Sequence, residues 1–167
     1  MDFFNKIKDI DDMAKIAAAL KAEGKTISAT GGCFDLLHPG HLHSLYHTKA
    51  QGDVSLIMLN SDASIKRHKG EKRPVMPQDA RSQMMAALYF VDYVIIFNED
   101  NPGYALSKIQ PTYFCKGEDY DPEKGGIPIA KEENDAVEKC GIKMVYLPFV
   151  KDNSTSIIIN KILESFQ

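Results

Sequence analysis

Short apolar runs alternate with helix-like patterns along most of the chain. Five runs have the length and the apolar content of buried β-strands, and they span residues 25–30, 54–59, 93–97, 112–115 and 143–147. Between and after them, apolar positions recur at helical spacing in residues 41–51, 78–90, 104–109, 130–140 and 154–166. A further helical pattern covers residues 3–22 and stops at Gly24.

Strands that are separated by helices predict βαβ units, and therefore a parallel sheet with helices on both faces. We expect an α/β fold with a doubly wound, five-stranded parallel sheet. The first 24 residues should form an extra N-terminal helix that packs on it. The 167 residues contain no internal repeat or low-complexity linker, which predicts a single domain over residues 1–167.

Composition narrows the possible functions. The hydrophobic fraction of 44% suffices for one domain with a core. A formal charge of −3 without a dominant basic block argues against a nucleic-acid partner. Three cysteines without Cys-x-x-Cys spacing favour neither a disulfide scaffold nor a zinc ribbon. No signal peptide or membrane span is visible, so we expect a cytoplasmic protein with no membrane partner.

The most informative segment is Gly-Gly-Cys-Phe-Asp-Leu-Leu-His-Pro-Gly-His, residues 31–41, which joins the first strand run to a helix. Its glycines allow a sharp turn and the approach of a phosphate to the backbone. His38 and His41 stand where the backbone N–H groups and the dipole of the helix favour anions. The stiff Pro39 and the small Gly40 between them let both imidazoles face one ligand. This construction suits a nucleoside triphosphate.

Polar residues also follow other strand runs. Residues 60–62 and 116–120 fall at carboxyl ends of strands, where ligands bind in open parallel sheets. Ser154, Thr155 and Ser156 open the last helix, where hydroxyls and N–H groups form a second phosphate cradle or an ordinary N-cap.

Several charged residues near these segments are candidates for the site, and two of them have more than one interpretation. Lys69, Arg73 and Arg81 are suited to neutralise a triphosphate tail, although Arg81 could equally be a surface arginine of its helix. Asp35 either contacts Mg²⁺ or ties the glycine loop (residues 31–40) by accepting backbone hydrogen bonds, and we favour the second role. His43 and His47 have the spacing of metal ligands on a helix, but no carboxylate or cysteine stands close to them in sequence, so no protein-bound metal is predicted.

The chain resembles the nucleotidyltransferase family marked by His-x-Gly-His, which is related to the catalytic domains of class I aminoacyl-tRNA synthetases. Within that family it is most similar to D-glycero-β-D-manno-heptose 1-phosphate adenylyltransferases. The matching segments agree in order and approximate spacing: 32–41, 52–53, 60–64, 69–70, 73–75, 91–94, 99–102, 116–120 and 154–156. The resemblance implies a Rossmann-like fold.

It also implies an activity, which is transfer of AMP from ATP to the heptose 1-phosphate. This reaction forms ADP-heptose and pyrophosphate for lipopolysaccharide synthesis. The expected cofactor is Mg²⁺ bound with the triphosphate, and members are frequently homodimers. Two alternatives stay open at this point. One is cytidylyl transfer from CTP to a small phosphate or phosphonate such as glycerol 3-phosphate, and the other is a non-catalytic nucleotide-binding module.

The site residues are expected in three groups. His38 and His41 are the expected catalytic residues, because they would stabilise the transition state. The expected nucleotide-binding residues are Gly32, Cys33, Phe34, Asp35, His38, Gly40, His41, Lys69, Arg81, Lys116, Gly117, Asp119, Ser154, Thr155 and Ser156. The expected acceptor-binding residues are Asn60, Asp62, Arg73, Glu118 and Tyr120.

Three segments depart from the usual heptose pattern. The chain has Gly31 where those enzymes usually carry asparagine, and Glu118 where they carry glycine. Residues 121–131 also do not follow the usual sequence. All three departures bear on the substrate pocket and leave the phosphate-binding segments unchanged.

Overall fold

The structure is a computed structural model that describes residues 2–148, 150 and 153–166. Six parallel strands form one sheet in the order β1-β4-β3-β2-β5-β6. The strands are β1 (Ile7–Lys8), β2 (Ile27–Gly32), β3 (Val54–Asn60), β4 (Tyr93–Phe97), β5 (Tyr113–Gly117) and β6 (Lys143–Leu147).

Seven α-helices accompany the strands in the described part of the chain. They are α1 (Ile10–Ala22), α2 (Pro39–Lys49), α3 (Asp62–Lys69), α4 (Gln78–Ala87), α5 (Gly103–Ile109), α6 (Lys131–Cys140) and α7 (Thr155–Ser165). Short 3₁₀ turns occupy Phe3–Lys6, Glu118–Tyr120 and Pro122–Lys124. None of the helices found among these residues has the length and apolar character that crossing a membrane requires.

Both faces of the sheet are covered, which explains why the central strands read as continuous apolar runs. Leu56 and Met58 of β3 belong to one core with residues of α1, α5 and α6. Ile57 and Leu59 of the same strand belong to a second core with residues of α2 and α4. The predicted fold class, a parallel sheet with helices on both faces, is therefore confirmed.

The chain reverses its direction of travel across the sheet beside β2. It runs from β2 to β3 and β4 on one side, and β5 then pairs with β2 on the other side. The segments that follow β2 and β5 therefore diverge and leave a crevice at the carboxyl edge of the sheet, which is the usual ligand position in such folds.

Three details of the sequence prediction are wrong. The sheet has six strands and not five, because the edge strand Ile7–Lys8 is too short to produce a period of its own. The predicted helix 3–22 consequently splits into a 3₁₀ turn, this strand and α1. Helix α3 was not predicted, because its last turn is the basic run 66–69 and it buries only Ser64 and Ile65.

A fully buried guanidinium joins the ends of the two central strands. Arg81 of α4 is 0% exposed. It donates hydrogen bonds to the carbonyl of Cys33 after β2 (2.6 Å) and to the carbonyl of Asn60 at the end of β3 (3.0 Å). It also donates to the carbonyl of Met76 (3.0 Å) and pairs with the carboxylate of Asp62 (2.7 Å). These four acceptors offset the cost of burying its charge.

Replacing Arg81 with leucine should lower the free energy of unfolding by about 3 kcal/mol, because buried acceptors then lose their donor. Denaturant unfolding followed by circular dichroism measures the loss. Arg67→Leu is the matched control, since this arginine pairs with Asp100 on the surface and should cost no more than about 1 kcal/mol. Equal losses in the two variants would contradict the role assigned to Arg81.

Candidate active site

The two signature histidines form a stacked pair at the start of α2. His38 is the N-cap, and its Nδ1 accepts a hydrogen bond from the backbone N–H of His41 at 3.3 Å. The neutral ring therefore carries its proton on Nε2. The two ring centroids lie 3.7 Å apart. Gly40 permits this arrangement, because a Cβ there would lie 3.0 Å from His38 Nδ1 and 3.2 Å from Asn153 Cβ.

Both imidazoles are neutral near neutral pH. Burial lowers the pKa of His38. The pKa of His41 falls to about 4, mainly because the ring is buried and also because His38 and Lys69 are close. Each neutral ring carries one N–H group and no fixed positive charge. A hydrogen bond to the Leu36 backbone acts to raise the pKa of His41, but burial outweighs it.

A cleft of about 330 Å³ opens in front of this pair. The N-termini of α2 and α7 both face it, and Ser154 caps α7 by accepting a hydrogen bond from the N–H of Ile157 at 3.2 Å. Its lining is His38, Gly40, His41, Ser44, Lys69, Arg73, Gly117, Asp119, Leu147, Pro148, Val150, Asn153, Ser154, Thr155 and Ser156. Two helix N-termini and two cationic side chains thus converge on one cavity, which suits a polyanion.

Asp35 ties the segment after α3 to the glycine loop. Its side chain is 1% exposed and accepts hydrogen bonds from Arg73 Nε (2.9 Å) and from the backbone N–H groups of Val75 and Met76. Burial alone would raise the pKa of Asp35, but these hydrogen bonds outweigh it and hold the pKa below its usual value. Asp35 thus ties the loop by accepting backbone hydrogen bonds, which is the role favoured above. Its bond to Arg73 holds that side chain in the lining of the cleft.

Two further cavities continue the cleft along the edge of the sheet. The glycine-loop cavity, about 250 Å³, is lined by Thr30, Gly31, Gly32, Cys33, Phe34, His41, Ser44, Lys116, Gly117 and Tyr120. The far cavity is about 350 Å³. Its lining comprises Gly31, Gly32, Asn60, Phe97, Asp100, Asn101, Pro102, Phe114, Lys116, Tyr120, Ile127, Pro128, Ile129, Ala130 and Glu133. Neighbouring cavities share wall residues, and we call the three together the groove.

Lys116 stands between the last two cavities. Its Nζ lies 2.6 Å from Glu133 Oε1 and 4.1 Å from the centre of the Tyr120 ring. The side chains of Lys116 and Glu133 are only 16% and 4% exposed. Burial also raises the pKa of Tyr120, with Asp119 and Glu133 acting in the same direction.

The structure places most predicted site residues along this groove, but not all of them. Arg81 and Asp62 pair with each other, and neither lines the three cavities, so the expected contacts of Arg81 with the triphosphate and of Asp62 with the acceptor are not supported. Glu118 pairs with Lys124 near the surface, at 2.9 Å. Asp35 acts through Arg73.

Sequence reasoning missed several lining residues. Ser44 lies one helical turn after His41, so the spacing alone could have identified it. Glu133 shares the buried face of α6 with Ala136 and Val137, and a carboxylate at a core position of an amphipathic helix is a usable signal. Leu147, Pro148, Val150 and Asn153 carry no distinctive pattern.

Known proteins resemble the chain over nearly its whole length. The family model described as Cytidylyltransferase-like matches residues 29–161. The Bifunctional protein HldE of Geobacter metallireducens is 46% identical over 161 residues, which are 96% of this chain and 32% of that protein. The protein of the same name from Trichlorobacter lovleyi is 42% identical over 165 residues, which are 99% of this chain and 32% of that protein. The chain thus spans about a third of the length of these relatives.

Solved structures agree with the fold. The structure of the lipopolysaccharide core biosynthesis protein from Thermoplasma volcanium superposes with a TM-score of 0.60 at 26% identity, covering 78% of this chain and all of that one. Pantoate-beta-alanine ligase from Francisella tularensis superposes with a TM-score of 0.59 over 95% of this chain and 77% of its own. At 16% identity, the second likeness concerns the fold alone.

Acid should destabilise the folded chain through His41. Between pH 6.5 and about 4 the unfolded chain binds a proton on this imidazole that the folded chain does not bind. The free energy of unfolding therefore falls as the pH is lowered through this window, and the contribution is fully present above it. Denaturant unfolding at a series of pH values should show a shallower fall for His41→Asn than for the unmodified protein. Parallel curves would show that His41 has no such shift.

Proposed function

Because the chain belongs to the Cytidylyltransferase-like family, we propose that it is a nucleotidyltransferase. It transfers AMP from ATP to a sugar 1-phosphate, D-glycero-β-D-manno-heptose 1-phosphate, and forms ADP-heptose and pyrophosphate for lipopolysaccharide synthesis. The observation that carries this proposal is the convergence of His38, His41 and the N-terminus of α7 on one cleft together with Lys69 and Arg73.

The proposed reaction is an in-line displacement at the α-phosphorus of ATP. A phosphate oxygen of the acceptor forms a bond to this phosphorus, while the bond to the bridging oxygen breaks and pyrophosphate leaves with the electron pair. Negative charge builds on the α-phosphoryl oxygens and on the leaving group. His38 and His41 donate hydrogen bonds to that charge, and Lys69, Arg73 and the two helix N-termini stabilise the pyrophosphate. No covalent enzyme intermediate is required.

In this proposal the nucleotide occupies the cleft and the acceptor occupies the far cavity. In the cleft, the triphosphate lies against Ser154, Thr155 and Ser156, and the base lies against the apolar wall of Leu147 and Pro148. An acceptor that enters through the far cavity meets the α-phosphate at the glycine loop between the two.

A magnesium ion that arrives with the triphosphate fits these residues. Among the described residues no group of three or more His, Cys, Asp or Glu side chains could hold a metal by itself. Mg²⁺ keeps several waters and uses one or two carboxylates together with substrate phosphates. Asp119 is a carboxylate in the cleft lining and would supply that contact. When bound, the ion neutralises charge on the phosphates.

The heptose acceptor and ATP follow from the resemblance in residues 99–102 and 116–120, and from relatives named HldE. The similar structure from Thermoplasma volcanium is described as a lipopolysaccharide core biosynthesis protein. The family description favours testing CTP as the alternative donor, with glycerol 3-phosphate as acceptor.

We further propose that residues 1–167 act as one catalytic unit, that this unit forms a homodimer, and that it works in the cytoplasm, where its nucleotide substrate is made.

Pyrophosphate release distinguishes these possibilities. The protein is incubated with Mg²⁺ and either ATP or CTP, each with heptose 1-phosphate or glycerol 3-phosphate. Turnover with ATP and the heptose alone is the expected result. Turnover with CTP would favour the cytidylyltransferase alternative. Nucleotide binding without pyrophosphate release from any pair would contradict the enzyme and favour a binding module.

His41→Ala should lower kcat about a hundredfold or more, because a preorganised donor to the transition state is lost. Steady-state pyrophosphate release measures the effect, and circular dichroism verifies the fold. His47→Ala on the same helix is the matched control, since His47 does not line the groove and its removal should leave kcat unchanged. A kcat within a few-fold of the unmodified enzyme would refute the role of His41.

A further inference from the structure

We infer that the buried Lys116–Glu133 pair determines which acceptor the protein uses. In this assignment Lys116, which the resemblance places among the nucleotide-binding residues, instead binds the attacking phosphate of the acceptor, and Glu133 binds hydroxyls of its sugar. The far cavity is therefore a site for a polyhydroxylated sugar phosphate, and a three-carbon phosphate fits it poorly. The inference rests on the nucleotidyl transfer proposed above and names the recognition elements of its second substrate.

The position of Lys116 carries the first step. This residue lines both the glycine-loop cavity, which also contains His41, and the far cavity. The attacking phosphate has to lie between the nucleotide's α-phosphate and the rest of the acceptor, which is the junction of these two cavities. An ammonium group has three N–H donors, so Lys116 can keep its bond to Glu133 and contact the phosphate as well.

The surroundings of Glu133 carry the second step. Glu133 is 3% exposed, and its Oε1 accepts a hydrogen bond from Lys116 Nζ. Among the described residues, its second oxygen is not one of the fully buried polar atoms that lack a hydrogen-bond partner. Burying a carboxylate is costly unless hydrogen-bond donors surround it. Sugar hydroxyls are donors, and the far cavity, which Glu133 lines, is where they would approach.

Replacing a buried ion pair with apolar residues of similar volume is often neutral or stabilising, so stability alone does not account for a charged pair in this wall. On the same helix, Asp135 and Lys139 lie 3.9 Å apart on the surface and line none of the three cavities. The charged pair that does line the groove therefore points to a ligand.

Selectivity follows from the chemistry of a buried carboxylate. A site built to hydrogen-bond hydroxyls discriminates strongly against analogues that lack them, because its buried polar group is then left unpaired. Glycerol 3-phosphate can satisfy Lys116 through its phosphate, but it carries fewer hydroxyls to reach Glu133. A sugar 1-phosphate satisfies both members of the pair.

The test compares Glu133→Gln with Asp135→Asn as the matched control on the same helix. For Glu133→Gln we expect the KM for heptose 1-phosphate to rise about tenfold or more, while the KM for ATP stays within about twofold. Calorimetric titration of heptose 1-phosphate without nucleotide should show the same loss of affinity. Asp135→Asn should match the unmodified protein in all three measurements. A rise in the KM for ATP instead, or no change at all, would overturn the inference.

The double variant Lys116→Met/Glu133→Leu removes the pair without leaving a buried charge unpaired. It should unfold at a similar denaturant concentration, bind ATP normally and lose detectable binding of heptose 1-phosphate. Retained binding of the sugar phosphate by this folded variant would also overturn the inference.

Failure of the inference is distinguishable from failure of the proposed function. If the unmodified protein releases no pyrophosphate with any acceptor, the proposed function fails, and the calorimetric comparison still decides whether Glu133 binds the sugar phosphate. If the unmodified protein turns over and Glu133→Gln does so with an unchanged KM for the heptose, only the inference fails.

Discussion

The groove depends on one buried cation, the guanidinium of Arg81. It donates hydrogen bonds to three backbone carbonyl groups. They belong to Cys33 just after β2, to Asn60 at the end of β3 and to Met76 just before α4. The first of these points lies in the glycine loop, so the loop's path to His38 is set from that end. Asp35 sets a second point, because its carboxylate accepts hydrogen bonds from the side chain of Arg73 and from the backbone N–H groups of Val75 and Met76. Buried charges thus hold loops that apolar packing alone would leave undetermined.

In the proposed function, the site attracts a polyanion without charged imidazoles. Burial keeps His38 and His41 neutral, so the positive potential comes from helix N-termini and from Lys69 and Arg73. The arrangement separates two tasks. In the proposed reaction, Lys69 and Arg73 bind the triphosphate in its ground state, and the neutral imidazoles donate to the charge that grows during transfer.

The sequence predicts elements whose burial leaves a periodic pattern, and it misses those whose position depends on distant partners. The strands 93–97 and 143–147 have the predicted bounds, because each is an apolar run between polar segments. The edge strand Ile7–Lys8 is held by pairing with β4, which no local pattern records. His38, Gly40 and His41 were predictable because one local motif sets their geometry, whereas the burial of Arg81 depends on loops 21 to 48 residues away along the chain.

The acceptor half of the groove is also where the chain departs from the heptose pattern. Gly31 lines the glycine-loop cavity and the far cavity, and residues 127–130 line the far cavity. A Cβ at Gly31 would lie 3.6 Å from Pro102, which is an ordinary contact, and its backbone does not require glycine. Gly31 therefore leaves open space at a position where heptose 1-phosphate adenylyltransferases usually carry an asparagine. With that amide absent, the polar side chains that line the far cavity, among them Asn60, Lys116 and Glu133, are the groups that would recognise the acceptor in the proposed reaction.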